Sequence, residues 1–107
     1  MNTDVLEAWK RESGPLCDEA YDEGGPDKHE IEEMRTNVEY EVRVVECVLA
    51  AYDDWEQEGK PAFKSLSLED KITVVQEGLE TCQYGSYRGD LPGLESVTRA
   101  LAELGHS

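Results

Sequence analysis

From Asp27 to Glu58 the apolar side chains return at Ile31, Met34, Val38, Val42, Val45, Leu49, Tyr52 and Trp55, in steps of three or four residues. That is the helical period, held over about seven turns. Inside the run, Val38 to Val44 alternates apolar and charged residues in the manner of a half-buried strand, but the alternation fails at Val45-Glu46-Cys47. A strand also needs a partner for its backbone groups, and no other segment reads as one. The valines lower helix propensity by only tenths of a kcal/mol each, whereas burying their side chains returns about 1.5 to 3 kcal/mol apiece. The pattern therefore predicts a long helix over 27–58, against a competing strand that pairs across a dimer.

The remaining segments carry the same period. Thr3 or Asp4 caps a first helix, with Glu7 completing a capping box and Val5, Leu6 and Trp9 on its apolar side. Ser13-Gly14-Pro15 is expected to end it, and a short second helix then runs from Pro15 to Glu23 with Leu16, Ala20 and Tyr21 inward. Gly24-Gly25-Pro26 and Gly59-Lys60-Pro61 bracket the long helix, and Phe63 anchors the connector that follows. Ser67, with Asp70 three positions on, caps a helix whose face is Leu68, Ile72, Val75, Leu79 and Cys82, with Gly78 marking either a close helix approach or a tolerated defect. A loop from Tyr84 to Asp90 leads to Pro92 and a last helix with Leu94, Val97, Leu101 and Leu104 on one side and Gly105 at its end. The expected fold is all-α, a compact bundle of four to five helices around the long central one, forming a single domain over 1–107.

Charge changes this picture more than composition does. The chain holds 25 acidic against 10 basic residues, a formal net charge of −15, and the imbalance is uneven. Residues 1–58 carry 18 acids and 5 bases, and residues 59–107 carry 7 and 5. Such a chain repels nucleic acid and anionic lipid and is drawn to basic partners. The plainer alternatives are that the acidity serves solubility or halophilic adaptation. No apolar run of membrane-spanning or signal-peptide length occurs, which points to a cytoplasmic protein that does not enter membranes. Cys17, Cys47 and Cys82 are odd in number, widely spaced and never in a C-x-x-C pair, arguing for reduced thiols rather than disulfides or zinc ligands.

Two constellations lie on the long helix. Glu32, Glu39, Glu46 and Asp53 repeat every seven residues, with Asp54 beside the last, and form either a partner-binding face or an ordinary solvated one. As a DNA mimic the helix is too sparse by itself. Duplex DNA presents one charge per about 1.7 Å, while ten acids spread over about 45 Å of this helix. Mimicry needs Asp18, Glu19, Asp22, Glu23 and Asp27 to extend the same face. The second constellation, His29, Glu33, Asn37 and Glu41, drifts toward the apolar stripe, so Glu41 needs a partner there, either in a carboxylate–histidine site for a metal or for acid–base chemistry or in a salt bridge to an arginine such as Arg88 or Arg99. All-helical nucleotide pyrophosphohydrolases bind magnesium through E-E-x-x-E on one helix and E-x-x-D on another. Here Thr36 stands where the third glutamate belongs and Glu80 where the aspartate does, with Glu77 before it.

No glycine-rich phosphate loop follows a strand, no G-x-S-x-G is present, and neither histidine pairs with a credible nucleophile. Arg88-Gly89-Asp90 reads as a turn, and Tyr84, Tyr87 and Arg88 as interface residues, since tyrosine and arginine are enriched where proteins meet. The expected function is that of a small acidic inhibitor or adaptor engaging the basic, nucleic-acid-binding surface of a partner, without binding nucleic acid itself and with no cofactor or metal. Phage anti-defence proteins, including anti-CRISPR and anti-restriction inhibitors, share this profile as a class. An immunity protein for a basic toxin nuclease is one alternative. The other is a carboxylate–metal enzyme with Glu33, Glu41, Glu77 and Glu80 as ligands. The wide apolar face around Val44, Val48 and Ala51 awaits cover, from the N-terminal helices or from a second copy in a homodimer.

Overall fold

The computed structural model describes residues 3–25, 27, 29–30, 33, 38–82 and 93–106. Among them are four α-helices, α1 (Thr3–Gly24), α2 (Val38–Asp54), α3 (Leu68–Thr81) and α4 (Leu94–Glu103), with a 3-10 turn at Phe63–Ser65 and no strand. The strand reading of Val38 to Val44 is thereby settled in favour of helix. Helix α1 packs against both α2 and α3, and α4 closes on the same pair from the other side. The expected all-α bundle is the observed one, and among the described residues no helix is long and apolar enough to cross a membrane.

The N-terminal third departs from expectation. Ser13-Gly14-Pro15 does not end a helix, because α1 runs through Pro15 as one element of 22 residues. A proline inside a helix forfeits one backbone bond and costs about 3 kcal/mol, but burial on both sides of it offsets that cost. Trp9 is fully buried and donates its indole Nε1–H to the Val74 carbonyl at 2.8 Å. Ser13 is fully buried, with its hydroxyl bonded to that of Thr81. A Cβ at Gly14 would sit 2.5 Å from the Thr81 carbonyl oxygen, so only glycine permits α1 to lie this close to the end of α3. Cys17 and Tyr21 continue the buried face beyond the proline. The residues read as a breaker are the seam itself.

Within the described residues the central helix runs from Val38 to Asp54 and ends four residues before the expected Glu58. Asp27 does cap helical backbone, accepting the Glu30 amide at 2.8 Å. Glu30 then pairs with Arg43 at 3.6 Å. At the other end α2 stops at Asp54, where Lys60 folds back and its ammonium donates to the carbonyls of Tyr52 at 2.8 Å and Trp55 at 2.7 Å. Gly59, at φ +78°, makes that reversal. A lysine thus satisfies carbonyls that the helix end leaves open and complements its negative pole.

The helical period expected for α2 is observed, but its phase is rotated. Val38 is exposed, Val42 and Leu49 are half-buried, and the buried arc centres on Tyr40, Val44, Val48 and Ala51. That face is covered within the chain: a Cβ at Gly78 of α3 would meet Val48 Cγ1 at 2.6 Å, Trp9 of α1 at 3.2 Å and Cys17 at 3.3 Å. Gly78 is the meeting point of three helices, as its sequence position implies. Ser67 caps α3 by accepting the Asp70 amide at 3.2 Å. The end of α4 is a Schellman turn, with His106 N bonded to Leu101 O at 2.8 Å, Gly105 N to Ala102 O at 3.1 Å, and Gly105 at φ +83°.

Candidate functional site

Helix α2 presents its expected acids to solvent. Glu39, Glu46, Asp53 and Asp54 are all exposed. Seven-residue spacing drifts by only about 20° per repeat, so Glu39, Glu46 and Asp53 form a ridge along the helix with a hollow on either side. On one side Asp53 borders a cleft of about 250 Å³ with Phe63, Lys64 and His106. On the other, Glu46 and Asp54 face α1 across a groove whose far rim carries Glu19 and Glu23. The ridge residue Glu32 and the interface residues Tyr84, Tyr87 and Arg88 lie outside the described residues.

Of the α1 acids that a duplex-like face requires, Glu19 and Glu23 line the groove. Asp18 does not join them: it accepts the Cys82 thiol at 2.8 Å and is half-buried on the opposite side of the helix. Asp27 is occupied as a cap. The shared surface is therefore a two-sided rim around an apolar floor.

The acids divide into paired and unpaired sets. Glu41 is clamped by Arg99 of α4, whose Nη2 reaches Oε1 at 2.8 Å and Oε2 at 2.6 Å while Nε reaches Oε2 at 3.2 Å. This is the arginine pair anticipated for the one carboxylate that fits neither face of the helix, and the hydrogen bonds that Arg99 donates to Glu41 hold the guanidinium above its ordinary pKa. Glu77 lies 3.9 Å from Lys10, and Glu33 lies 3.3 Å from His29 on exposed backbone. Glu19, Glu23, Glu46 and Asp54 have no cation within bridging distance among the described residues.

The four carboxylates expected as metal ligands in the enzyme alternative are not drawn together by these contacts, and among the described residues no three His, Cys, Asp or Glu side chains are grouped as a metal site. The three cysteines are buried, and none forms a disulfide. Burial holds the Cys17 thiol far above its usual range, with Cys82, Asp18 and Cys47 adding to the effect, and pushes Cys47 up to about 11 against an opposing pull from Arg43. Neither is a ready nucleophile at neutral pH.

Two contributors to this surface are not evident from sequence. Ala50 completes a groove floor whose other members, Leu16, Ala20 and Ala51, the sequence places on apolar faces, and an alanine on an exposed helical face carries no signal of its own. Arg43 reaches the Gly24 carbonyl at 3.4 Å as well as Glu30, and so ties α2 to the end of α1. Comparison with protein-family models, curated proteins and solved structures yields no match to this chain.

Proposed function

We propose that the chain is an acidic protein-binding inhibitor or adaptor that engages the basic, nucleic-acid-binding surface of a partner protein, in the manner of phage anti-defence proteins. The observation that carries this reading is the division of its carboxylates. Cations neutralise Glu41 and Glu77 at helix contacts, while among the described residues Glu19, Glu23, Glu46 and Asp54 are left unpaired around one groove. Unpaired like charges on adjacent helices repel each other and are a cost to the free fold, one that a basic partner relieves.

Affinity capture from host extract tests this directly. The chain should retain a basic nucleic-acid-binding protein at low salt, release it as salt rises, and lose it when Glu39, Glu46 and Asp54 are all changed to lysine. Retention of a neutral or acidic partner, or capture that survives the triple reversal, sinks the proposal. A toxin gene beside the coding sequence would favour immunity to a nuclease over anti-defence. The carboxylate–metal reading requires Glu41 to leave Arg99. Its test is a thermal shift with millimolar magnesium or manganese, which must raise the melting temperature if the native state binds the ion.

A further inference from the structure

The groove between α1 and α2 has a shape as well as a charge. Two hollows of about 200 and 240 Å³ meet at Ala20 and together extend along α2 from Arg43 to Asp54, a run of about 16 Å or three helical turns. The floor is apolar and low: Ala51 is buried, Leu16 and Ala20 are half-buried, and Ala50 is exposed. Glu19 and Glu23 stand on one side and Glu46 and Asp54 on the other, so any segment lying in the groove has carboxylates along both flanks.

These features select among occupants. A second copy would bring the same four acids into the same groove on a chain of net charge −15, which like-charge repulsion disfavours. A small cation would use the rims and leave the floor empty. An amphipathic helix uses both, by laying aliphatic side chains at i, i+3, i+4 and i+7 into a groove while its flanks meet the rims. Arg43, fixed by Glu30 and the Gly24 carbonyl, closes one end with positive charge. The cations of the occupant therefore belong toward Asp54 and Glu19. We infer that this groove docks a basic amphipathic helix of the partner protein, an inference that rests on the basic-partner reading above.

The test uses the full chain and two fluorescein-labelled peptides of about 18 residues, both built from leucine, alanine and lysine. One segregates its leucines along a single helical face and the other has the same composition in shuffled order. By fluorescence anisotropy the segregated peptide should bind at least about tenfold more tightly. Ala50→Trp, which fills the floor from an exposed position, should weaken that binding about tenfold, and so should Glu23→Lys combined with Glu46→Lys. Glu95→Lys with Glu103→Lys changes net charge equally on α4 and should leave binding within about twofold. Unchanged melting temperatures show that each variant is folded. Equal binding of the two peptides, or equal losses from the groove and α4 reversals, overturns the groove while leaving a diffuse basic-partner surface standing. No binding of either peptide overturns the groove as well, and the capture experiment then judges the broader reading alone. A dimer in sedimentation equilibrium that Ala50→Trp dissociates would overturn the helix as occupant and assign the groove to a second copy.

Discussion

Helix α1 has two neighbours and treats them differently. Toward α3 it presents Trp9, Ser13, Gly14 and Cys17, all buried, and the approach is so close that Gly14 has no room for a methyl group, while one at Gly78 would press on Trp9 and Cys17. Toward α2, beyond the buried contacts, it presents Leu16, Ala20, Glu19 and Glu23 to an open groove. Small residues occur on both sides with opposite consequences. At the seam they let two backbones meet, and at the groove they leave space that nothing in the described chain fills. Residue size alone does not separate an interface that is complete from one that awaits a partner. The chemistry around it does, since the seam bonds Trp9 and Ser13 internally and the groove leaves four carboxylates without a cation among the described residues.

The largest expected effect comes from adding bulk at the seam. Gly14→Ala places a Cβ 2.5 Å from a backbone oxygen, which cannot rotate away, and overpacking of this kind costs about 1 to 3 kcal/mol after any gain in helix propensity. Gly78→Ala meets side-chain atoms at 2.6 to 3.3 Å, which can yield, so its loss should be the smaller of the two. Ala50→Leu in the groove should change stability by less than about 0.5 kcal/mol, the usual range for an exposed site. Urea unfolding of the three variants measures all of this. If Ala50→Leu destabilises as much as Gly14→Ala, the groove is packed rather than open and the contrast fails.

Next in size is the C-terminal end of α2, which sets where the groove stops. Lys60→Met keeps the aliphatic stem over the Tyr52 ring, 5.0 Å from the ammonium in the native chain, and removes the charge-assisted bonds to Tyr52 and Trp55 carbonyls. A loss of about 1 to 2 kcal/mol follows from those bonds and the helix dipole together, again read by urea unfolding. Arg99→Ala should cost less than either change, because its partner contact is half in solvent, and the loss should shrink with added salt. A salt-independent loss would show that Arg99 acts by packing.

Much of this architecture is legible in the amino-acid sequence. Arg99 is one of the two arginines that the sequence offers as a partner for Glu41, and the helical period over Val38–Asp54, the Ser67 cap and the Gly78 approach follow from residue type and spacing. Three features do not. Pro15 has a local preference for ending a helix, but the burial of Trp9, Ser13, Cys17 and Tyr21 against distant α3 and α2 overrides that preference. The valines of α2 suggest one phase for its apolar stripe, yet Tyr40, which that stripe omits, is buried while Val38 is exposed, and valine placement alone leaves that rotation open. The groove has no sequence signature because it belongs to two helices at once. Helix α1 contributes Leu16, Ala20 and two acids, α2 contributes alanines, two acids, Arg43 and Cys47, and only their juxtaposition makes a floor and two rims.

The smallest effect separates the same two regions by their thiols. Cys17 lies in the seam, where a Cβ on Gly78 would touch its sulfur, and Cys47 borders the groove. Burial holds both thiols protonated in the folded state, Cys47 up to about 11. The unfolded thiol releases its proton at lower pH than the folded one, so between about pH 9 and 11 the native state binds more protons than the unfolded state. Stability contributed by the neutral thiol is complete below about pH 9 and declines as pH climbs through that window. Cys47→Ala should therefore flatten part of the alkaline loss seen by thermal unfolding, leaving the share due to Cys17 and to Tyr52, whose hydroxyl burial pushes up to about 12. Maleimide labelling at pH 8 gives the sharper reading. Cys47 should be modified first, through opening of the groove alone, and Cys17 only at the rate at which the whole bundle opens. Equal labelling of the two would mean that α1 leaves α3 as easily as it admits a ligand beside α2, and the seam would then be no tighter than the groove.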